Sequence, residues 1–420
     1  MGLKEKWRGR TRHSLLENTI MLYILQFSTM VLGFFTQGYQ TRVLGMDKVG
    51  LLGAAAYATN FFQIFIDFGF ILSATATVSR FREDRARLSR TLTCVMWAKA
   101  VFIAVSFTIL FSFVAPSLAG SREVLTYALY LLAAVLNSLL PDFMYRGLEQ
   151  MAAITLRAVG IKVFATIMIF VFLRQPDDYY MVPLFNAVGN AGALVLVYWH
   201  LFARVKIHFC RVSPGQVWAE VKDSSQFFLS KAATAVNSNL NGVLLKSFAG
   251  DWATGLYTSA DKVIGMARAG MSPIADSLYP HMMKHRNFSI VKKAMLFVYP
   301  VILAGCAVVF IFAEPLLVLW LGPEGKDVVL PLRLLMPIAV CCFPNYVLGY
   351  PTLGAMGLTK YANISVIFGT GVYVAGAALG WLLGGQGLGL VGLCVLSSVT
   401  EFSILAFRLS VINKNRKLMR

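Results

Sequence analysis

Long apolar runs separated by short polar breaks make up nearly the whole chain. Runs of about 20 apolar residues are long enough to cross a bilayer as helices. They fall at 17–40, 50–78, 91–114, 123–141, 153–173, 181–203, 224–249, 254–280, 292–315, 328–350, 360–383 and 389–410. None alternates polar and apolar with the period of a barrel strand, so the elements are helices. The pattern predicts an all-α polytopic membrane protein with about twelve transmembrane helices. The longest break, 204–223, reads as a cytoplasmic linker between an N-terminal six-helix bundle, 1–203, and a C-terminal one, 224–420. No break has room for a catalytic or nucleotide-binding domain, and "GPEGK" at 322–326 lacks the spacing of a phosphate-binding loop.

Composition agrees. Hydrophobic residues make up 57% of the chain and charged residues 14%, too little polar surface for a soluble protein of this size. The net charge of +18 is placed by topology: 26 of the 38 Lys and Arg flank one set of helix ends and six flank the other. That asymmetry is the positive-inside rule, and with an even number of spans it predicts both termini in the cytoplasm. The basic character is therefore topogenic, and no nucleic-acid partner is expected. The basic N-terminus resembles a signal peptide, but the apolar run after it is too long and lacks a small-x-small cleavage site. The six cysteines are scattered without a C-x-x-C and read as small apolar packing residues.

The two halves share a local pattern. "GMDKVGL" at 45–51 and "GDWATGL" at 250–256 are both G-x-x-x-x-G-L, and each joins an odd span to the next. Small residues follow each motif, and each second span runs into a basic loop. Two six-span halves of equal orientation predict pseudo-symmetry about the membrane normal, a parallel repeat used by transporters.

Charges inside the spans are the informative residues. A charge at the bilayer centre costs roughly 2.5–3.5 kcal/mol on insertion scales. After the flanking residues are removed, Lys99, Lys162, Lys231, Lys262, Arg268 and Arg333 remain, and Arg333 lies near enough to a helix start to snorkel. The intramembrane acids are Asp67, Asp261 and Glu401. Asp261, Gly265 and Arg268 share a helix face by i, i+4, i+7 spacing. Pairing of Asp261 with Lys99 or Arg268, or of Asp67 with Lys231, would make some of these charges structural. Five cations against three acids still leave a positive surplus, which predicts a hydrated lumen that accepts an anion. Gln26, Gln37, Gln40, Asn60, Gln63, Asn237, Asn239, Asn241, Ser259 and Ser272 add polar groups to spans one, two, seven and eight, and neighbouring aromatics suit sugar hydroxyls.

The stretch 41–92, from "TRVLGMDKVGLLGAAAYATNFFQIFIDFGF" through "RFREDRARLSRTL", resembles the opening spans of the Wzx-type O-antigen and exopolysaccharide flippases. These form the polysaccharide branch of the multidrug/oligosaccharidyl-lipid/polysaccharide exporter superfamily. "SQFFLSKAATAVNSNLNGVLLKSFAGDWATGLYTSADKVIGMARAGM" and "EPLLVLWLG" are similar to later segments of that family. The chain departs from the family at Ile71 and Ala76, where members often carry Asn and Arg.

The resemblance implies two pseudo-symmetric six-helix bundles, MATE-like, in the bacterial inner membrane. It implies export of a polyprenyl-pyrophosphate-linked oligosaccharide from the cytoplasmic to the periplasmic leaflet by alternating access, without a cofactor. Lys99, Lys162 and Lys231 would receive the anionic head, Arg268 would hold it and Lys262 would assist its release. Asp67, Asp261 or Glu401 would carry a coupling H+ or Na+, or serve as pairing partners. Membrane lipids and a polysaccharide polymerase complex are the expected partners. The rival readings are a cation antiporter of the same superfamily and a membrane polysaccharide polymerase or ligase. The first calls for a net acidic cavity and the second for a large outer loop. Asp177-Asp178 has no catalytic domain around it, and His281 with His285 reads as part of a basic loop rather than a metal pair. Gly376, Gly380 and Gly384 predict close helix packing, with a dimer face as the alternative.

Overall fold

The computed structural model describes Tyr23 and residues 26–118, 120–286, 288–384 and 388–416. The basic N-terminal segment and the start of the first span lie outside these, as do the side chains of Asn237, Asp276, His281 and His285. In chain order the helices are α1 (26–44), α2 (Met46–Asp67), α3 (Phe70–Arg80), α4 (Arg85–Ile109), α5 (Ser121–Ser138), α6 (Asp142–Gly147), α7 (Met151–Phe172) and α8 (Met181–His200). They continue as α9 (Pro214–His285), α10 (Phe288–Lys293), α11 (Tyr299–Ile311), α12 (Ala313–Leu321), α13 (Val329–Val347), α14 (Thr359–Gly384) and α15 (Leu390–Lys414).

Among the described residues, nine helical segments are long and apolar enough to cross a membrane. They coincide with the expected spans two to six and nine to twelve. Expected spans seven and eight both lie in α9, which breaks at Gly250 with φ 80°. Expected span two, read as continuous over 50–78, is broken: Phe68 has φ 39° and Gly69 φ 79°, which ends α2 and starts α3.

The chain divides into two compact units. Unit one contains the described residues up to Thr36 and Ala55–Ala235; unit two contains Gln37–Ala54 and the described residues from Val236 onward. In unit one α3, α4 and α6 share a core that includes Phe70, Val78, Leu92, Phe143 and Met144. A second cluster joins α2 to α5 through Ala55, Ile66, Tyr127 and Leu131. In unit two the core lies around Phe343, Val347, Leu353, Met282 and Ile412. Gly376 and Gly380 of α14 admit Leu396 and Leu388, so these glycines serve packing within the unit.

The two G-x-x-x-x-G-L motifs meet inside unit two. Their first glycines, Gly45 and Gly250, both have left-handed backbone, φ 78° and 80°. Their second glycines face each other: a Cβ on Gly50 would lie 2.7 Å from the Gly255 nitrogen, and one on Gly255 would lie 3.1 Å from the Gly50 nitrogen. Only hydrogen fits between the two backbones. Gly255→Val is expected to destabilise by about 1–3 kcal/mol or more through forced separation. Gly305→Val, where an added Cβ has nothing within 4 Å, is the control. Fluorescence-detected size-exclusion chromatography after heating will show a lower midpoint for the first variant only.

Candidate functional site

The break between α2 and α3 builds the first polar group in unit one. It leaves Asp67 at the end of α2, where its Oδ1 accepts from Lys99 Nζ at 2.9 Å. Lys99 also donates to the Ser138 carbonyl and is 4% exposed. Apolar packing surrounds the break: Phe68 stacks on Phe228 at 4.4 Å with 13° between the rings, and Phe102 lies at 4.8 Å. Ser73 and Ser224 share a hydrogen bond of 2.6 Å on the next turn. The start of α9 is thereby fastened to the broken helix.

Lys231, one to two turns further along α9, lies in the attractive field of Asp67 and the repulsive fields of Lys99 and Arg146. It is half-buried, and no ion pair or hydrogen bond to it occurs among the described residues. Lys162 is half-buried on α7, and one turn on from it Thr166 meets Thr36 at 3.2 Å. The pairing weighed from sequence is therefore altered, because Asp67 bonds Lys99 rather than Lys231.

Two arginines counted by position as loop residues join this group. Arg157 Nη2 pairs with Asp142 Oδ1 at 2.8 Å and its side chain is 11% exposed. The Nε atoms of Arg146 and Arg157 are buried without a hydrogen-bond partner. Asp142 and Arg146 are four apart, on one face of α6, a spacing visible in the sequence. The apolar residues around them, Phe143, Met144 and Tyr145, are buried and draw the short helix inward.

Unit two holds a different arrangement. A cavity of about 30 Å³ is lined by Asn241, Tyr257, Asp261, Arg268, Ser397 and Glu401, among others. That volume is of the order of one or two waters. Asn241 organises its wall: Nδ2 donates to Tyr257 Oη at 2.8 Å and to Ser397 Oγ at 2.6 Å, while Oδ1 accepts from Tyr373. With both amide protons used, this side chain is fixed. Arg268 Nη2 lies 3.9 Å from Glu401 Oε1, with the two side chains 31% and 28% exposed. Asp261 also acts on Arg268, as its place on the same helix face predicts. Lys262 is half-buried without an ion pair or hydrogen bond among the described residues. Gln37 reaches Ser259 at 3.3 Å nearby.

The anticipated surplus is thus unevenly divided. In unit one Lys99 and Lys231 stand against Asp67, and Arg146 and Arg157 against Asp142. In unit two Lys262 and Arg268 are matched by Asp261 and Glu401. Arg408, counted as a cytoplasmic flanking residue, is 8% exposed and belongs to the interior of unit two. Among the described residues no group of three or more His, Cys, Asp or Glu is placed to hold a metal ion.

Comparison with known proteins places this arrangement. Residues 15–286 match the family described as Polysaccharide biosynthesis protein. Two curated relatives are both named "Putative O-antigen transporter". The one from Shigella dysenteriae is 22% identical over 321 residues, covering 73% of this chain and 78% of that protein. The one from Escherichia coli strain K12 is 20% identical over 331 residues, covering 77% and 80%. Among solved structures, an inward-facing multidrug resistance MATE family transporter of the MOP superfamily superposes with a TM-score of 0.71 at 15% identity, covering 94% of this chain and 99% of that one. The lipid II flippase MurJ in an inward closed conformation gives 0.69 at 11% identity, with coverages of 93% and 87%. At these identities the likeness to solved structures is one of fold. The family match covers well over half of the sequence, and on that ground the chain belongs to the polysaccharide biosynthesis protein family, as a multi-pass membrane transporter rather than an enzyme.

Proposed function

We propose that this protein flips a polyprenyl-pyrophosphate-linked oligosaccharide, an O-antigen or exopolysaccharide repeat unit, from the cytoplasmic to the periplasmic leaflet of the bacterial inner membrane. The observation that carries the reading is uncompensated positive charge at membrane depth. Lys231 has no ion pair among the described residues, and Lys99, Lys231, Arg146 and Arg157 outnumber Asp67 and Asp142 in unit one. Unpaired buried cations are costly, and an arriving diphosphate relieves that cost with charge-assisted hydrogen bonds. The names of the curated relatives point to the same substrate class.

In this scheme twelve helices cross the membrane, divided at the linker 204–223, with both termini cytoplasmic. Lys99, Lys162 and Lys231 receive the diphosphate head, with Lys99 exchanging its bond to Asp67 for one to the substrate. Arg268 holds the head after displacement of Glu401, and Lys262 assists its departure. Alternating access exposes the holding residues first to one side and then to the other. With the cell interior negative, outward movement of one negative charge is favoured by about 2.3 kcal/mol per 100 mV. Asp67, Asp261 and Glu401, once released from their cations, are suited to take up H+ or Na+ for coupling. The product is a substrate for a polysaccharide polymerase, the proposed partner.

Native mass spectrometry of the protein purified from its own membrane tests the reading. The expected result is a retained polyprenyl-pyrophosphate oligosaccharide. Retention of organic cations, with no glycolipid, would favour the cation-antiporter reading instead.

A further inference from the structure

Arg268 is flanked by Asp261 and Glu401, and a different residue holds Glu401. Asn345 Nδ2 donates to Glu401 Oε2 at 2.9 Å and also reaches the Glu401 carbonyl at 3.3 Å. Arg268 remains 3.9 Å from the other carboxylate oxygen, beyond hydrogen-bond distance. The amide is oriented by this contact, for its Oδ1 is buried with no partner. Turning it over would set that oxygen against a carboxylate that can only accept.

Asn345 is itself clamped. It is 5% exposed and lies near the end of α13, four residues before Gly349, whose ψ of −120° breaks the helix. Pro351 has no N–H to offer the Val347 carbonyl, and the Asn345 carbonyl accepts from the Leu348 N–H with room for a second donor. Thr352 Oγ1 takes the Val347 carbonyl at 2.8 Å, and Arg408 takes the Asn345 carbonyl while its Nε donates to Ser365 at 2.8 Å. A Cβ on residue 349 would lie 2.9 Å from the Arg408 guanidinium, so glycine gives that side chain its approach. Glu401 and Arg408 are seven apart on α15, two turns along one face. One helix therefore grips Asn345 by its amide and by its main chain.

We infer that Asn345 is a positioning residue that holds Glu401 back from Arg268, and that Arg408 fixes Asn345 at the helix break in turn. Closed onto Arg268, the carboxylate would neutralise it; held at 3.9 Å, it leaves the guanidinium open to a stronger anion. The assignment rests on the reading of Arg268 as the anion-holding residue, but its structural half is testable without any substrate.

The test is a double-mutant cycle on Arg268→Gln and Glu401→Gln, read as shifts in melting midpoint of the purified full-length protein. It is run in the wild-type, Asn345→Ala and Arg408→Lys backgrounds. The coupling between Arg268 and Glu401 is expected to at least double when Asn345 is alanine and to rise by less when Arg408 is lysine, which loses the Ser365 contact; unchanged coupling in the Arg408→Lys background removes Arg408 from the inference. Equal coupling in the wild-type and Asn345→Ala backgrounds overturns the inference. If Asn345→Ala does not fold, Asn345→Leu, of similar size and without a donor, takes its place with the same criterion.

In cells, Asn345→Ala is expected to lower surface polysaccharide about tenfold, the scale of one charge-assisted hydrogen bond. Export at the wild-type level by a stably inserted Asn345→Ala overturns the inference. A strain lacking the gene that still displays full surface polysaccharide overturns the flippase reading, while the melting cycle continues to decide the role of Asn345.

Discussion

Replacing Arg268 by glutamine is expected to reduce polysaccharide export by about a hundredfold or more, with the protein present at normal level in the membrane. A guanidinium that holds a diphosphate through two charge-assisted hydrogen bonds, each about 1.5–3 kcal/mol, loses both, and the loss falls on the step in which the anion is held. The substitution also leaves Glu401 and Asp261 without their cation beside the cavity. Glu401→Gln in the same chain is expected to recover protein stability but not export. The measurement is surface polysaccharide by gel and lectin blot, normalised to membrane-inserted protein. Export at the wild-type rate by Arg268→Gln would remove this residue from the scheme.

The second large effect lies in unit one. Lys99→Ala is expected to destabilise by about 3–5 kcal/mol, because it strands Asp67 against aromatic rings in an apolar wall. The double variant Lys99→Met/Asp67→Asn is expected to return close to wild-type stability, since a buried pair replaced by matched neutral groups is often neutral. Thermal melting of purified protein checks both. A single variant as stable as wild type would show that the 2.9 Å contact contributes little. The double variant also bears on transport. If Lys99 takes the substrate head in exchange for Asp67, export stays low even where stability is regained.

Much of this architecture was legible in the chain because lipid enforces a simple code of length and hydropathy. Nine expected spans have helical counterparts for that reason. The stripe of Asp261 and Arg268 was legible because helix periodicity places both on one face. Pairing across helices was not: Lys99 and Asp67 are 32 positions apart, and nothing in their spacing distinguishes that partner from Lys231. The break at Phe68 and Gly69 was hidden because hydropathy continues unchanged through it, although the glycine was a local sign. Arg408 was misplaced for a related reason. Counting charges by distance from a span end cannot recognise a guanidinium drawn inward by a carbonyl and a hydroxyl on other helices. Arg146 was passed over in the same way, its short helix carried inside by apolar neighbours.

The meeting of Gly50 with Gly255 bears on how the molecule can be divided. A fragment starting at the linker would contain most of unit two but none of Gln37–Ala54. It would present the Gly255 surface bare, with no segment of its own to cover it. Autonomy therefore does not follow the boundary between the two predicted six-helix bundles, and cutting there separates two glycines that close on each other.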